Sequence, residues 1–209
     1  MWAIASNLRS WGLAAALAIV GSTAQTAARA LAEAPTPDGL TVSSNQEVEL
    51  CRPKGRCFIP EPDDPIFIGD VIETFAAGRF DFLLPDAARI LLLKNGKIRI
   101  DRGSVQMVEI EIIGGTLVVE TFASKKLDVT LGDLRCRVGA GPVALSHQLA
   151  EKPTESSSVV NGNGMATCFS TGGATHLIDP NAAVDFHDGQ VESSHPIPEG
   201  FWSSISPSR

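Results

Sequence analysis

Residues 97–131, KIRIDRGSVQMVEIEIIGGTLVVETFASKKLDVTL, decide the fold. The opening alternates strictly: Ile98 and Ile100 fall on one side, Lys97, Arg99 and Asp101 on the other. A period of two belongs to a strand with one face in a core and one in water. Leu127-Asp128-Val129-Thr130-Leu131 repeats it, and Phe80-Asp81-Phe82-Leu83-Leu84 carries it upstream. Residues 105–113 and 116–122 are richer in Val and Ile, which marks more deeply buried strands.

Turn signals punctuate these runs at Pro85-Asp86, Asn95-Gly96, Gly114-Gly115, Gly132-Asp133, Gly139-Ala140-Gly141-Pro142 and Gly172-Gly173. Asn95-Gly96 between two apolar runs is the strongest hairpin signal. Residues 150–164, AEKPTESSSVVNGNG, read as a polar surface loop, and residues 40–50 as one strand. No stretch beyond the N-terminal segment keeps a helical period over ten residues. The pattern predicts an all-β fold of short antiparallel strands in a sandwich, roll or short β-helix-like arrangement.

The 209 residues suit one domain with a core of its own. Hydrophobic residues at 44% and charged residues at 20% exclude wholesale disorder and a multi-span membrane protein. The formal charge of -7 speaks against a nucleic-acid partner. Residues 1–32 read as a signal peptide: Arg9, an apolar run over residues 11–20, then small residues. The apolar run is about half of what a bilayer needs. Ala30-Leu31-Ala32 fits the cleavage rule, with Ala28-Arg29-Ala30 and Ser22-Thr23-Ala24 as rivals. Losing Arg9 and Arg29 and no acid takes the charge to about −9, so an acidic chain exported to the periplasm or secreted is expected, not integral to the membrane after processing.

Cys51, Cys57, Cys136 and Cys168 make an even count, which in an exported chain points to disulfides. Four cysteines allow three pairings. Cys51 and Cys57 bracket a short Pro-Gly loop that can close on itself, which leaves Cys136, on the apolar phase of LRCRV, for Cys168. The spacing is not that of structural zinc, and there is no C-x-x-C redox pair. Arg52, Lys54 and Arg56 then lie on a constrained loop, a candidate binding tip for an acidic partner or acidic glycan.

Ile68-Gly69-Asp70-Val71-Ile72-Glu73-Thr74, then Gly78-Arg79-Phe80-Asp81-Phe82-Leu83-Leu84-Pro85-Asp86, then Ile98-Arg99-Ile100, resemble the opening of the FecR domain. Residues 114–121, Gly172-Gly173 and Asp188-Gly189-Gln190-Val191 look like its later strand and closing turns, so the likeness spans residues 64–192. Asp86-Ala87-Ala88 stands where the family carries an Asp-Gly-Ser turn, and the cystine loop lies outside the pattern. With the residue readings above, the chain divides into a signal peptide (1–32), an N-terminal segment with the cystine loop (33–65), the FecR-like β domain (66–192) that the resemblance implies, and a tail (193–209) whose Pro and Ser content suggests poor order. It implies periplasmic signalling of the envelope or iron-uptake type. Gly69, Asp70, Thr74, Gly78 and Arg79 are expected as fold determinants, none of them chemically reactive.

Signals of catalysis are sparse. The chain has no G-x-S-x-G elbow, P-loop, H-E-x-x-H or dinucleotide fingerprint. Ser146 and His147 are strand neighbours facing opposite ways. Asp185 and His187, with His195 beyond, are the best metal-like set, but a polar strand end is the preferred reading. Glu61, Asp63 and Asp64 sit among prolines, as in an extended linker. Phe201-Trp202 is expected to pack back on the body. The sequence therefore predicts a non-enzymatic, cofactor-free module binding a protein or ligand in the cell envelope. An envelope-polysaccharide factor using the basic loop is the alternative, and a metal-dependent hydrolase the second.

Overall fold

The computed structural model describes residues 36–102, 108–149 and 155–205. The signal segment 1–32 lies outside them. The described chain is nearly all β, and every strand pairing is antiparallel. In chain order the strands are β1 (Gly39–Ser44), β2 (Val48–Cys51), β3 (Cys57–Phe58), β4 (Pro65–Ile66), β5 (Val71–Thr74), β6 (Phe80–Leu84), β7 (Ala88–Leu92) and β8 (Lys97–Arg102). There follow β9 (Val108–Leu131), β10 (Leu134–Leu149), β11 (Glu155–Asn161), β12 (Met165–Ser170), β13 (Thr175–Ile178), β14 (Ala182–His187) and β15 (Gln190–Pro196). One short helix, α1 (Phe201–Ile205), ends the described chain.

Strands β9 and β10 organise the rest. A nine-strand path runs β15-β14-β11-β10-β9-β7-β6-β1-β4. Two branches leave it: β8-β5-β2-β3 from the start of β9, and β12-β13 from the start of β10. Both layers turn their apolar phase into one cluster. Phe80, Phe82, Ile90 and Val119 come from the long path, Ile72 and Ile98 from the β8 branch, and Ile110, Val129 and Cys136 from the two outer stretches of β9 and the start of β10.

The described strands are short, as the pattern predicts, except β9 and β10. Gly114-Gly115 and Gly139-Ala140-Gly141 are not turns between strands but corners at which β9 and β10 pass from one layer to the other. The ladder slips at both: β9 shifts against β8 between Lys97 and Ile98, and against β10 between Gly139 and Gly141. Gly115 (φ 89°) and Gly141 (φ 96°) hold conformations that a side chain resists, and each has another backbone against it. At Gly115 that is the Asn95-Gly96 turn; at Gly141 it is Gly164, whose Cα would lie 2.7 Å from an added Cβ.

Asn95-Gly96 is likewise not a hairpin turn. β7 is already flanked by β6 and β9, so β8 pairs with β5 and β9 instead. The turn carries the chain between layers, and Thr74 braces it. The Thr74 hydroxyl donates to the Leu93 carbonyl (2.5 Å) and accepts from the Gly96 N–H (2.8 Å).

The serine-rich 155–161 stretch, expected as loop, is β11, paired on both sides. Ser158 faces out, while buried Ser157 meets His147 Nδ1 at 3.0 Å. Residues 40–50 hold most of β1 and part of β2 rather than one strand, and both pair within the same sheet system as the rest. The described part of the tail, expected as poorly ordered, is built into the fold: β15 extends to Pro196, and Phe201, Trp202 and Ile205 of α1 pack with Ile197 over Ala144, Val160 and Ala183. From Pro37 onward the described chain is one compact unit.

Candidate binding surfaces

Both disulfides form as the loop argument paired them, Cys51–Cys57 and Cys136–Cys168. In each, the two residues are direct cross-strand neighbours. The cystine loop does not present three cations, however. Arg52 folds back: its guanidinium lies 4.5 Å from the Phe67 ring centroid, donates to the Pro65 carbonyl (2.8 Å) and reaches Asp70 at 3.5 Å. Asp70 is fully buried and accepts the Phe67 N–H (2.9 Å). Burial pushes its carboxyl up, against the pull of that N–H and of Arg52. Of the three cations only Lys54 and Arg56 are exposed at the tip. Of the other motif residues, Gly69 donates its N–H to Ile100 (2.6 Å), and the Gly78 N–H closes a turn onto Phe75 (2.9 Å). Arg79 donates to the Ile205 carbonyl at the end of α1 (3.3 Å).

The metal-like set does not converge. Asp185 accepts from Ser193 (2.8 Å) and lies 3.1 Å from His195 Nε2, but His187 turns to Asp188 at 3.6 Å. Burial pushes Asp185 up, but the Ser193, Ser158 and His195 hydrogen bonds outweigh it and hold the carboxyl below its usual range. Among the described residues the one three-ligand grouping is Glu49, Cys51 and Cys57, whose sulfurs are joined to each other. Ser146 bonds Thr116 (2.9 Å) on the outer face while His147 points into the core. Burial lowers the His147 pKa, and Glu155 pulls the other way. In the acidic segment, Asp64 caps the Glu61 N–H (2.7 Å).

A surface that sequence reasoning missed lies on the β12-β13 branch. Cys168 and Ala166 fill the core, and the opposite phase exposes Met165 (56%) and Phe169 (37%). On β13, Leu177 is 71% exposed and sits directly across from Thr167, diagonal to both. The three therefore cluster on one face at the edge strand β13, which pairs only with β12. Beside them Arg137 grips Asp128 (2.8 and 3.0 Å), and Arg135 bridges Asp128 and Glu109. Burial raises Asp128, but Arg137 and Arg135 overcome it and hold the carboxyl below its ordinary value. The signal was present in MATCF and THLI: large apolar residues occupy the phase opposite the core.

Among the described residues no helix is long and apolar enough to cross a membrane. Neither a protein-family model nor a curated protein matches the chain.

Proposed function

We propose that this chain is an exported, non-enzymatic FecR-like domain that binds a partner protein in the cell envelope through the outer face of β12 and β13. The observation that carries the reading is the Met165-Phe169-Leu177 cluster. An exposed group of large apolar residues with a charged rim is how docking surfaces are built. The β13 edge adds unpaired backbone groups that a partner strand can use. Two disulfides suit an oxidising compartment. A role in envelope or iron-type signalling follows the FecR resemblance by analogy.

The test is affinity capture from native envelopes with the wild type and a Phe169→Asp/Leu177→Asp variant. One specific envelope protein held by the wild type and lost by the variant, with the variant's melting temperature unchanged, is the expected result. Equal capture by both rejects the surface. A second reading, an acidic glycan held at the cystine loop, rests on the exposure of Lys54 and Arg56. Lys54→Ala/Arg56→Ala would abolish retention on an acidic glycan if that reading holds.

A further inference from the structure

The outer face of the nine-strand path carries a second site, which shares no residue with the β12-β13 face. Asp81, Leu91, Val118, Ala144, Val160 and Ala183 stand opposite one another across six consecutive strands. Helix α1 covers the Ala144, Val160 and Ala183 end of that row. At the other end a groove of about 230 Å³ stays open between Trp202 and Ile205 on one side and Leu91 and Val118 on the other. Its rim holds three charges, Asp81, Arg89 and Glu120.

The chemistry of the rim restricts the occupant. Arg89 grips Asp81 in a fork, Nε to Oδ1 at 3.0 Å and Nη2 to Oδ2 at 2.6 Å. That arrangement commits one carboxylate and two of the guanidinium nitrogens and leaves the third nitrogen as a donor. Glu120 lies directly across the strand pair from Arg89 and is exposed. The rim thus sums to one negative charge, and an anionic ligand would meet both carboxylates. A cation would find Asp81 already matched to Arg89 and would meet only Glu120, an exposed carboxylate that water screens and that Arg89 faces across the strand pair. A wholly apolar ligand would strip water from Glu120 and Arg89 without replacing it. Each hydroxyl of a polyol both donates and accepts, so it suits a rim of carboxylate oxygens and one guanidinium nitrogen.

The walls supply the other half. Trp202 stands edge-on to Phe201 (centroids 5.1 Å apart, planes at 86°) and is wedged against Gly162, where an added Cβ would lie 3.0 Å from its Cζ2. A fixed indole beside Leu91 and Val118 offers an apolar surface at little ordering cost. We infer that this groove binds one ring of a neutral saccharide, its C–H face against Trp202 and its hydroxyls on Glu120 and the uncommitted Arg89 nitrogen. The inference is independent of the partner surface, because no residue is shared.

The full-length protein is titrated calorimetrically with neutral oligosaccharides of glucose, galactose and N-acetylglucosamine, and with a polyuronate and spermidine as charged probes. Saturable binding of at least one neutral sugar is expected, weakened ten-fold or more by Glu120→Ala and by Trp202→Ala. Trp202→Phe keeps a ring and should retain part of the affinity, which separates a lost platform from a loosened helix. Phe169→Asp/Leu177→Asp should leave the affinity unchanged. No saturable neutral sugar, unaltered binding in both alanine variants, or tighter binding of the polyuronate or of spermidine would overturn the assignment.

Discussion

The two disulfides share a backbone setting and differ in what surrounds them. Both join direct cross-strand neighbours with Cα atoms 4.0 Å apart. Cys136–Cys168 is fully buried, ties β10 to β12 across 32 residues of chain and sits in the common core. Cys51–Cys57 spans 6 residues at the edge strand β3, outside that core. The same covalent device therefore locks the body in one place and shapes a surface loop in the other. What decides its consequence is the length of chain it closes and the packing it joins.

Removing each bridge separately sharpens the contrast. Closing a 32-residue loop is worth ~3–4 kcal/mol in the chain-entropy account, and a 6-residue loop ~2 kcal/mol. Cys136→Ala/Cys168→Ala should lower the melting temperature by on the order of 10 °C, and Cys51→Ala/Cys57→Ala by about half as much. Calorimetry on the two variants measures both, and an inverted order would break the comparison. Arg52 offers a smaller test, because it anchors the loop without the bridge. Arg52→Ala leaves buried Asp70 without its cation and should cost ~1–2 kcal/mol at neutral pH. Since Asp70 already titrates high, the cost should shrink as the solution is acidified into the carboxylate range, which denaturant melts at two pH values would detect.

The smallest effect concerns His147 in the core. Its folded pKa lies below the unfolded value, so the unfolded chain takes the proton more readily. The contribution is complete above the unfolded histidine pKa and is lost as pH falls through the folded one. Melting temperature should therefore decline on acidification below about pH 6.5, and His147→Gln should flatten that part of the profile. A slope unchanged by the substitution would assign the decline to other groups.

Much of this architecture was legible in the residues because a period of two needs no tertiary information. Ile98, Ile100, Leu127, Val129 and Leu131 all lie on the buried phase that the alternation gives them. The corners were not legible, because glycine marks a bend whether the chain reverses or merely changes layer. Only the pairing of β9 with β8, β7 and β10 distinguishes the two at Gly114-Gly115. Asn95-Gly96 failed as a hairpin signal for the same reason: its flanking strands were claimed by other neighbours. β11 was hidden by serine, a poor strand former alone, which is tolerated where Ser157 meets His147 and Ser158 faces outward. At the candidate sites, the basic loop was visible as charge but not the recruitment of Arg52 by Phe67 and Asp70. The Met165, Phe169 and Leu177 cluster needed the register of β12 against β13 before it became a surface.

On the proposed reading this surface, and not the cystine tip, meets the partner. A photo-crosslinking residue placed at Leu177 in one sample and at Lys54 in another, irradiated in intact envelopes, tests it most directly. One discrete adduct from position 177 and none from position 54 is the expected result. An adduct from position 54 alone would contradict it and move the binding site to the loop.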